Sequence, residues 1–410
     1  MTEASQFYLD QRAADAGPAW LGGLRDEGAD VFARLGFPTQ KVESWKYTSL
    51  NSLQRSSFTL PGAEPAGPGG DQAHLVFVNG RLQAAAGSTQ KGVRIASLAQ
   101  LLEEDGDWLQ NHLTSGDGEL AMLAMNSAFM SDGFVIQLEP GCIVEKPIEL
   151  IFHTHGDAGG LHYHPRNLII AGAGSQATIL ERHLGKPGLA NHGTQAVIGE
   201  NALIRHYKLQ DEDPAATHIS TTLANVEQGG AYESFVMSAG AGLSRNEIRV
   251  RLMGQGCGTR LDGIYLGRGG QHMDHTTQIE HVSAGASSEE TYKGVLDDKA
   301  RAVFQGNIRV DRDAQKTDGR MSNATLLLSG EAEIDAKPQL EIYADDVKCS
   351  HGTTAGQIDD DALFYLRSRG IDEARARAML VEAFLSELVE AIPNEDARGI
   401  FQARLTDWLA

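Results

Sequence analysis

Cys349 and His351 are the two residues whose types and spacing most directly offer chemistry. They lie in I-D-A-K-P-Q-L-E-I-Y-A-D-D-V-K-C-S-H-G-T-T, residues 334–354. Leu340, Ile342 and Ala344 alternate with other residues, an Asp345-Asp346 turn follows, and Val347, Cys349 and His351 share the next odd-numbered face. A strand repeats every second residue, so this thiol and imidazole project to the same side. Both are soft or borderline metal ligands, and together they are half of a four-ligand site. Three readings stay open on pattern alone: a buried cysteine beside a hydrogen-bonded histidine, a ligand pair, or a nucleophile with its base. Against the last, Cβ atoms at i and i+2 on a flat strand stand about 6–7 Å apart, and neither an oxyanion hole nor a third residue is evident.

Other histidines cluster. His153 and His155 are two apart, as are His162 and His164. The run Q-H-M-D-H-T-T-Q-I-E-H places His275, Thr277, Ile279 and His281 on one strand face, with His272 and Asp274 just before. A metal hydrolase would need three such ligands converging on an open site beside a general base. A polar ladder along stacked strands is the competing reading. G-A-G-S-Q-A at residues 172–177 imitates a dinucleotide-binding turn, but T-I-L-E-R-H-L continues as strand where a helix is required. No G-x-x-x-x-G-K-[ST] occurs, so ATP hydrolysis is not expected of this chain alone.

Composition narrows the class. With 41% hydrophobic and 22% charged residues in 410, the chain has an ordinary globular composition and can bury a sizeable core. A formal charge of −20 argues against nucleic acid and against an anionic membrane surface as partners. No apolar run reaches the roughly 18 residues that span a bilayer. The opening M-T-E-A-S-Q-F-Y-L-D has neither a basic region nor an apolar run, so a cytoplasmic location is expected. The three cysteines, Cys142, Cys257 and Cys349, form no C-x-x-C pair and cannot alone ligate an all-cysteine iron–sulfur cluster.

Three regions are expected to position these residues. Residues 1–130 read as a helical domain with a short β lead-in. Leu21, Leu24, Val31, Phe32 and Leu35 recur at helical spacing and stop at Gly36-Phe37-Pro38. Trp45 and Tyr47 pin a loop at residues 38–50, residues 60–70 resemble a linker, and Asn79-Gly80 signals a hairpin. Residues 131–358 read as short β runs punctuated by Gly141, Gly174, Gly199, Gly230 and Gly256, about 25 to 33 residues apart. That persistent spacing predicts stacked coils, a parallel β-helix, with a sandwich or jelly roll as alternative. Residues 359–410 return to helical spacing, opened by Asp359-Asp360-Asp361 and again by Asp372, and broken by Pro393. They are expected to close the open end of the β stack, to bind a partner, or both.

The segments P-T-Q-K-V-E-S-W-K-Y-T-S-L, D-H-T-T-Q-I-E-H, F-Q-G-N-I-R-V, A-Q-K-T-D-G-R and D-D-V-K-C-S-H-G-T-T together resemble the SufB/SufD family of iron–sulfur cluster assembly scaffolds. The short chain, the early Trp45-Lys46-Tyr47 and the few cysteines favour its SufD side. The resemblance implies a mainly β fold, a right-handed parallel β-helix flanked by N- and C-terminal α-helical domains. It implies a non-catalytic scaffold subunit that pairs with SufB along the β-helix edge near Cys349 and His351. It further implies a SufC ATPase docked on the C-terminal helices, with ATP hydrolysis supplied in trans. His351, with Cys349 beside it, would be a transient metal ligand at the SufB interface. Iron or a nascent cluster would be shared there, with no stable cofactor. A homodimer in isolation is compatible with the same edge. The alternative function is a carbohydrate-active β-helix enzyme, a lyase or hydrolase.

Overall fold

The computed structural model describes residues 2–12, 17–62, 73–86, 90–104, 106–116, 118–155 and 160–410. The expected linker at residues 60–70 falls mostly outside them. Between Phe134 and Gly356 the chain winds as a parallel coil. One ten-stranded sheet carries eight parallel strands from Ile148–Thr154 to Lys348–Gly356, and a second carries eight from Phe134–Leu138 to Glu333–Ile342. Each strand bonds the strand one coil away. Thr217 thus pairs with Leu243, 26 residues on, and Arg301 with Glu333, 32 residues on. That interval is the one the turn glycines mark. At Gly174 and Gly256 the backbone turns with φ of +68°, where an L side chain would be strained.

Period-two alternation explains the packing. In Gln176–Gly185, Ala177 and Ile179 face the interior between the sheets, while Leu180 faces outward. The interior cluster runs the length of the coil through Phe134, Ile179, Ile204, Val250, Leu261, Ile279 and Phe304. Each such side chain contributes about 1.5–3 kcal/mol on burial. Phe304 is fully buried against Tyr292, ring centroids 5.0 Å apart, so its truncation to Ala would cost about 3–5 kcal/mol.

The first end of the coil is finished by short antiparallel strands. The hairpin Leu75–Val78 and Arg81–Ala85 turns through Asn79 and Gly80, both at positive φ as the motif predicts, and extends the first sheet beside Ile148–Thr154. Val93–Ser97 runs antiparallel to Phe134–Leu138 and ends the second sheet. Helix Ala19–Leu35, stopped at Gly36, and helix Ala121–Phe129 cover the outer face of the second sheet, where Phe32, Met122 and Phe129 cluster with Leu189 and Ile219.

Three helices follow the coil: Asp360–Ser368, Glu373–Glu390 and Glu395–Leu409. Asp359, Asp372 and Asn394 cap them, each accepting from a backbone N–H two or three residues on. Their position corrects one expectation, because they do not close the coil end. Val381, Leu385, Leu388, Phe401, Leu405 and Trp408 lie across the outward residues of the first sheet, among them Leu180, Tyr207, Phe235, Ile264 and Val295. Those outward residues are apolar because they are covered, and the helices are held there by Lys293 to Glu387 at 2.7 Å and Arg404 to Asp211 at 2.8 Å.

The interior is not wholly apolar. Burial pushes the Glu290 carboxyl up to about 8, and nearby Asp262, itself raised to about 6 by burial, adds to this. The folded chain therefore keeps a proton that the unfolded chain releases near 4.5, so stability falls as pH rises between these values. At about 1.4 kcal/mol per pKa unit the loss at pH 7 is roughly 3 kcal/mol. Glu290→Gln is expected to raise the urea midpoint at pH 7 and to change it little near pH 4.5. A difference that does not vary with pH would rule this out.

Candidate functional site

The two extended segments read around residues 334–354 are strands Glu333–Ile342 and Lys348–Gly356. They are the last strands of the two sheets, each bonded on one side only. Glu333–Ile342 pairs with Arg301–Val310, and Lys348–Gly356 with Asp318–Leu327. No further coil covers them, so their side chains are mostly exposed where the preceding coils are buried.

Register places the pair. Cys349 lies opposite Gly319 and His351 opposite Met321, whose side chain belongs to the interior cluster. Both therefore lie on the inward-facing side of the terminal coil. Cys349 packs partly buried against that cluster, over the space left by Gly319, where a Cβ would approach its Sγ to 3.5 Å. Burial pushes its thiol above the ordinary range, and the Asp318 carboxylate adds to this. It is thus held mainly as the neutral thiol near pH 7, a poor ligand and nucleophile in that state. His351, two residues further, is exposed. The Asp345-Asp346 turn between the strands is fixed by Lys316 N–H donating to the Asp346 carbonyl at 2.6 Å and Asp346 N–H donating to Gln315 Oε1 at 3.0 Å.

The histidines of residues 272–281 do not converge. His275, Thr277, Ile279 and His281 share the inward face as read from the sequence, but His275 lies between Tyr265 and Tyr292, and His281 contacts Ser288 Oγ at 2.8 Å. His272 and Asp274 face outward and both meet Thr48 Oγ1, at 2.8 and 2.5 Å. Arg245 pairs with Asp274 and with Glu247, and its guanidinium lies 4.0 Å from the Trp45 ring centroid. The Trp45 segment is therefore clamped onto the coil by this buried ion pair, which accounts for the outward half of the D-H-T-T motif. His162 and His164 contact each other at 2.8 Å beneath Phe129 and Tyr8, inside the contact between coil and N-terminal helices. Gln176–Gly185 is strand, so the dinucleotide-like turn opens no helix.

Sequence reading did not single out a polar cluster deeper in the coil. Among the described residues, the one group of three or more His, Cys, Asp or Glu side chains close enough to hold a metal is His183, His192 and His218. The signal was present as inward positions turning polar within one strand, Ala177, Ile179, Glu181, His183. Convergence could not be read, because the three rings come from three strands divided between the two sheets.

The outer face of the first sheet carries a groove lined by Glu233, Arg260, Glu289, Asp318 and Arg320. Arg205 pairs with Glu233 at 2.8 Å, Arg260 with Asp262 at 2.6 Å and Arg320 with Asp318 at 3.1 Å. With Glu233 and Asp318 held in ion pairs, these lining residues do not offer the two free carboxyls that a glycosidase uses.

Comparison with known proteins identifies the family. Residues 152–384 match the family described as SUF system FeS cluster assembly, SufBD core domain, and residues 68–150 match the SufBD protein N-terminal region. The chain is 34% identical to the iron–sulfur cluster assembly protein SufD of Escherichia coli K12, covering 91% of this chain and 89% of the relative. It is 29% identical to an iron–sulfur cluster assembly SufBD family protein of Synechocystis, covering 92% and 89%. It is 30% identical to the chloroplastic protein ABCI7 of Arabidopsis thaliana, covering 94% and 85%. These matches favour the assembly reading over a carbohydrate-active enzyme, and no described helix is long and apolar enough to cross a membrane. The chain belongs to the SufB/SufD family of iron–sulfur cluster assembly proteins, on its SufD side.

Proposed function

We propose that the chain is a non-catalytic scaffold subunit whose open coil end joins a SufB-type partner and offers His351 to iron at a nascent cluster. The observation that carries this is the strand Lys348–Gly356: an unpaired sheet edge bearing Cys349 and His351, with no metal-binding group of three formed around them among the described residues. An unpaired edge is a template for a strand of another chain. Of the two edges at this end, Glu333–Ile342 carries Glu333, Asp335, Lys337, Pro338 and Glu341, whereas Lys348–Gly356 carries Lys348 as its one Lys, Arg, Asp or Glu. The second is the better edge for continuing a sheet. Docking would enclose His351, and the missing ligands, a partner thiolate among them, would arrive across the boundary. Iron is the cargo in this reading, and neutral imidazole suits it. Cys349, held as a neutral thiol, shields or tunes the site.

The flank helices give the second contact. Phe364 and Tyr365 on helix Asp360–Ser368 are 73% and 57% exposed, and Met379 on the next helix is 40% exposed, although the rest of the helical layer buries its apolar stripe. This patch suits an ATPase partner of the SufC type, which would supply nucleotide hydrolysis in trans.

His351→Ala in the complex with SufB and SufC is expected to reduce iron and sulfide loading ~10-fold or more, with Cys349→Ser having the smaller effect. Normal loading in His351→Ala would remove His351 from the site. Removing every residue after 358 would strip the cover from the first sheet, so point changes are the sharper test of docking. Phe364→Asp combined with Tyr365→Asp is expected to abolish co-purification of SufC without moving the thermal midpoint. Retained SufC would place its docking surface elsewhere.

A further inference from the structure

Toward the first end of the coil the inward faces of several strands change from apolar to ionisable. Glu181 and His183 come from Gln176–Gly185, His206, Lys208 and Glu212 from Leu203–Glu212, His192 from Leu189–Ile198, and His218 from Thr217–Val226. All are buried. Ionisable groups in such a place cost several kcal/mol each unless paired, and most of these are paired. Glu181 contacts His183 Nε2 at 2.9 Å and His206 Nε2 at 2.6 Å, with Lys208 Nζ 3.9 Å away. Lys208 donates to Ser220 Oγ at 2.7 Å, and Glu212 contacts His218 Nδ1 at 2.8 Å and accepts from Gln210 at 2.6 Å.

The pairing leaves a specific remainder. His183 Nδ1, His218 Nε2 and both nitrogens of His192 have no hydrogen-bond partner, although all three residues are at most 1% exposed. One nitrogen from each ring lies within 4.8 Å of the others. The rings approach one another from both sheets. His183 lies on the first sheet and His192 and His218 on the second, with centroids 4.5 Å apart for His183 and His192 and 4.9 Å for His183 and His218. Phe152 stacks flat on His183, 3° from parallel, and meets His192 edge-on, which fixes two of the rings.

We propose that His183, His192 and His218 bind a divalent first-row transition ion inside the coil. The hydrogen bonds already made have the form such a site requires. A ligating histidine donates its other ring N–H to a carboxylate, which sets the tautomer and raises the basicity of the free nitrogen. Glu181 does this for His183, through Nε2, and Glu212 for His218, through Nδ1. Each is then left with its remaining nitrogen as an unpartnered lone pair. His192, with both nitrogens unpaired, is free to present either.

Donor type narrows the ion. Three imidazoles with no thiolate and no directly ligating carboxylate suit zinc or ferrous iron, and exclude calcium and magnesium, which take oxygen ligands. The local charge favours a cation too. Two carboxylates, Glu181 and Glu212, stand among these groups beside the single Lys208 ammonium. The site joins three strands across both sheets, so an ion there would tie the sheets together in the first half of the coil. It stands apart from His351, at the terminal coil, and does not depend on the reading given to that residue.

Expression of the full chain in cells grown in cobalt-supplemented minimal medium fills the site as the coil folds. Cobalt, zinc and iron are then measured per chain, together with the visible absorption of bound cobalt. About one ion per chain is expected in the unaltered protein and in His351→Ala, as three ligands and one site require. His192→Ala should lose the ion, and Glu212→Gln should weaken binding about 10–100-fold. Circular dichroism and the thermal midpoint check folding, and His192→Gln replaces His192→Ala should the latter not fold. An unaltered chain holding no more metal than the His192 variant would overturn the proposal, as would full occupancy in that variant.

Discussion

A parallel coil cannot end itself. Each strand satisfies its backbone groups on the coil before and the coil after, so the first and last coils each leave a row of donors and acceptors and one side of the interior uncovered. The first end meets this with the antiparallel hairpin 75–85 and the short strand Val93–Ser97. The last end has no such finish. Glu333–Ile342 and Lys348–Gly356 stand open, and the helices that follow lie on the flank of the first sheet. The exposure of His351, the half-burial of Cys349 and the shortage of ligands around them all follow from that one asymmetry.

Much of the coil was legible in the sequence because its rules are local. Period two sorts Ala177 and Ile179 from Leu180, glycine marks the turn of each coil, and Asn79-Gly80 announces its hairpin. The capped C-terminal helices were legible for the same reason. What could not be read were relations between coils. Whether position 218 faces position 183 depends on register accumulated over two strands and their turns. The place of the C-terminal helices is of this kind as well: their apolar stripes demanded cover, but a coil offers both an end and a flank. The outward run Leu180, Tyr207, Phe235, Ile264, Val295 held the answer, legible once these residues are known to share one face.

The D-H-T-T segment shows how one strand serves two surfaces. Its odd positions, His275, Thr277, Ile279 and His281, line the interior, while His272 and Asp274 face the other way and hold Thr48 and, through Arg245, the Trp45 ring. Removing one partner of a buried Arg–Asp pair is costly because it strands the other charge. The motif is therefore bound up with the joining of two parts of the chain. Ligand-type residues in a conspicuous run need not ligate anything, while His183, His192 and His218, scattered through unremarkable text, bring ring nitrogens within 4.8 Å of one another.

The open edge also has a consequence for supply. A strand with free donors and acceptors recruits whatever matching strand is at hand, including a second copy of itself. Pro338 and the charges along Glu333–Ile342 blunt one edge, but Lys348–Gly356 has little such protection. An edge with so little protection is prone to pair with its own copies, so self-association of the isolated chain is expected to rise with its concentration.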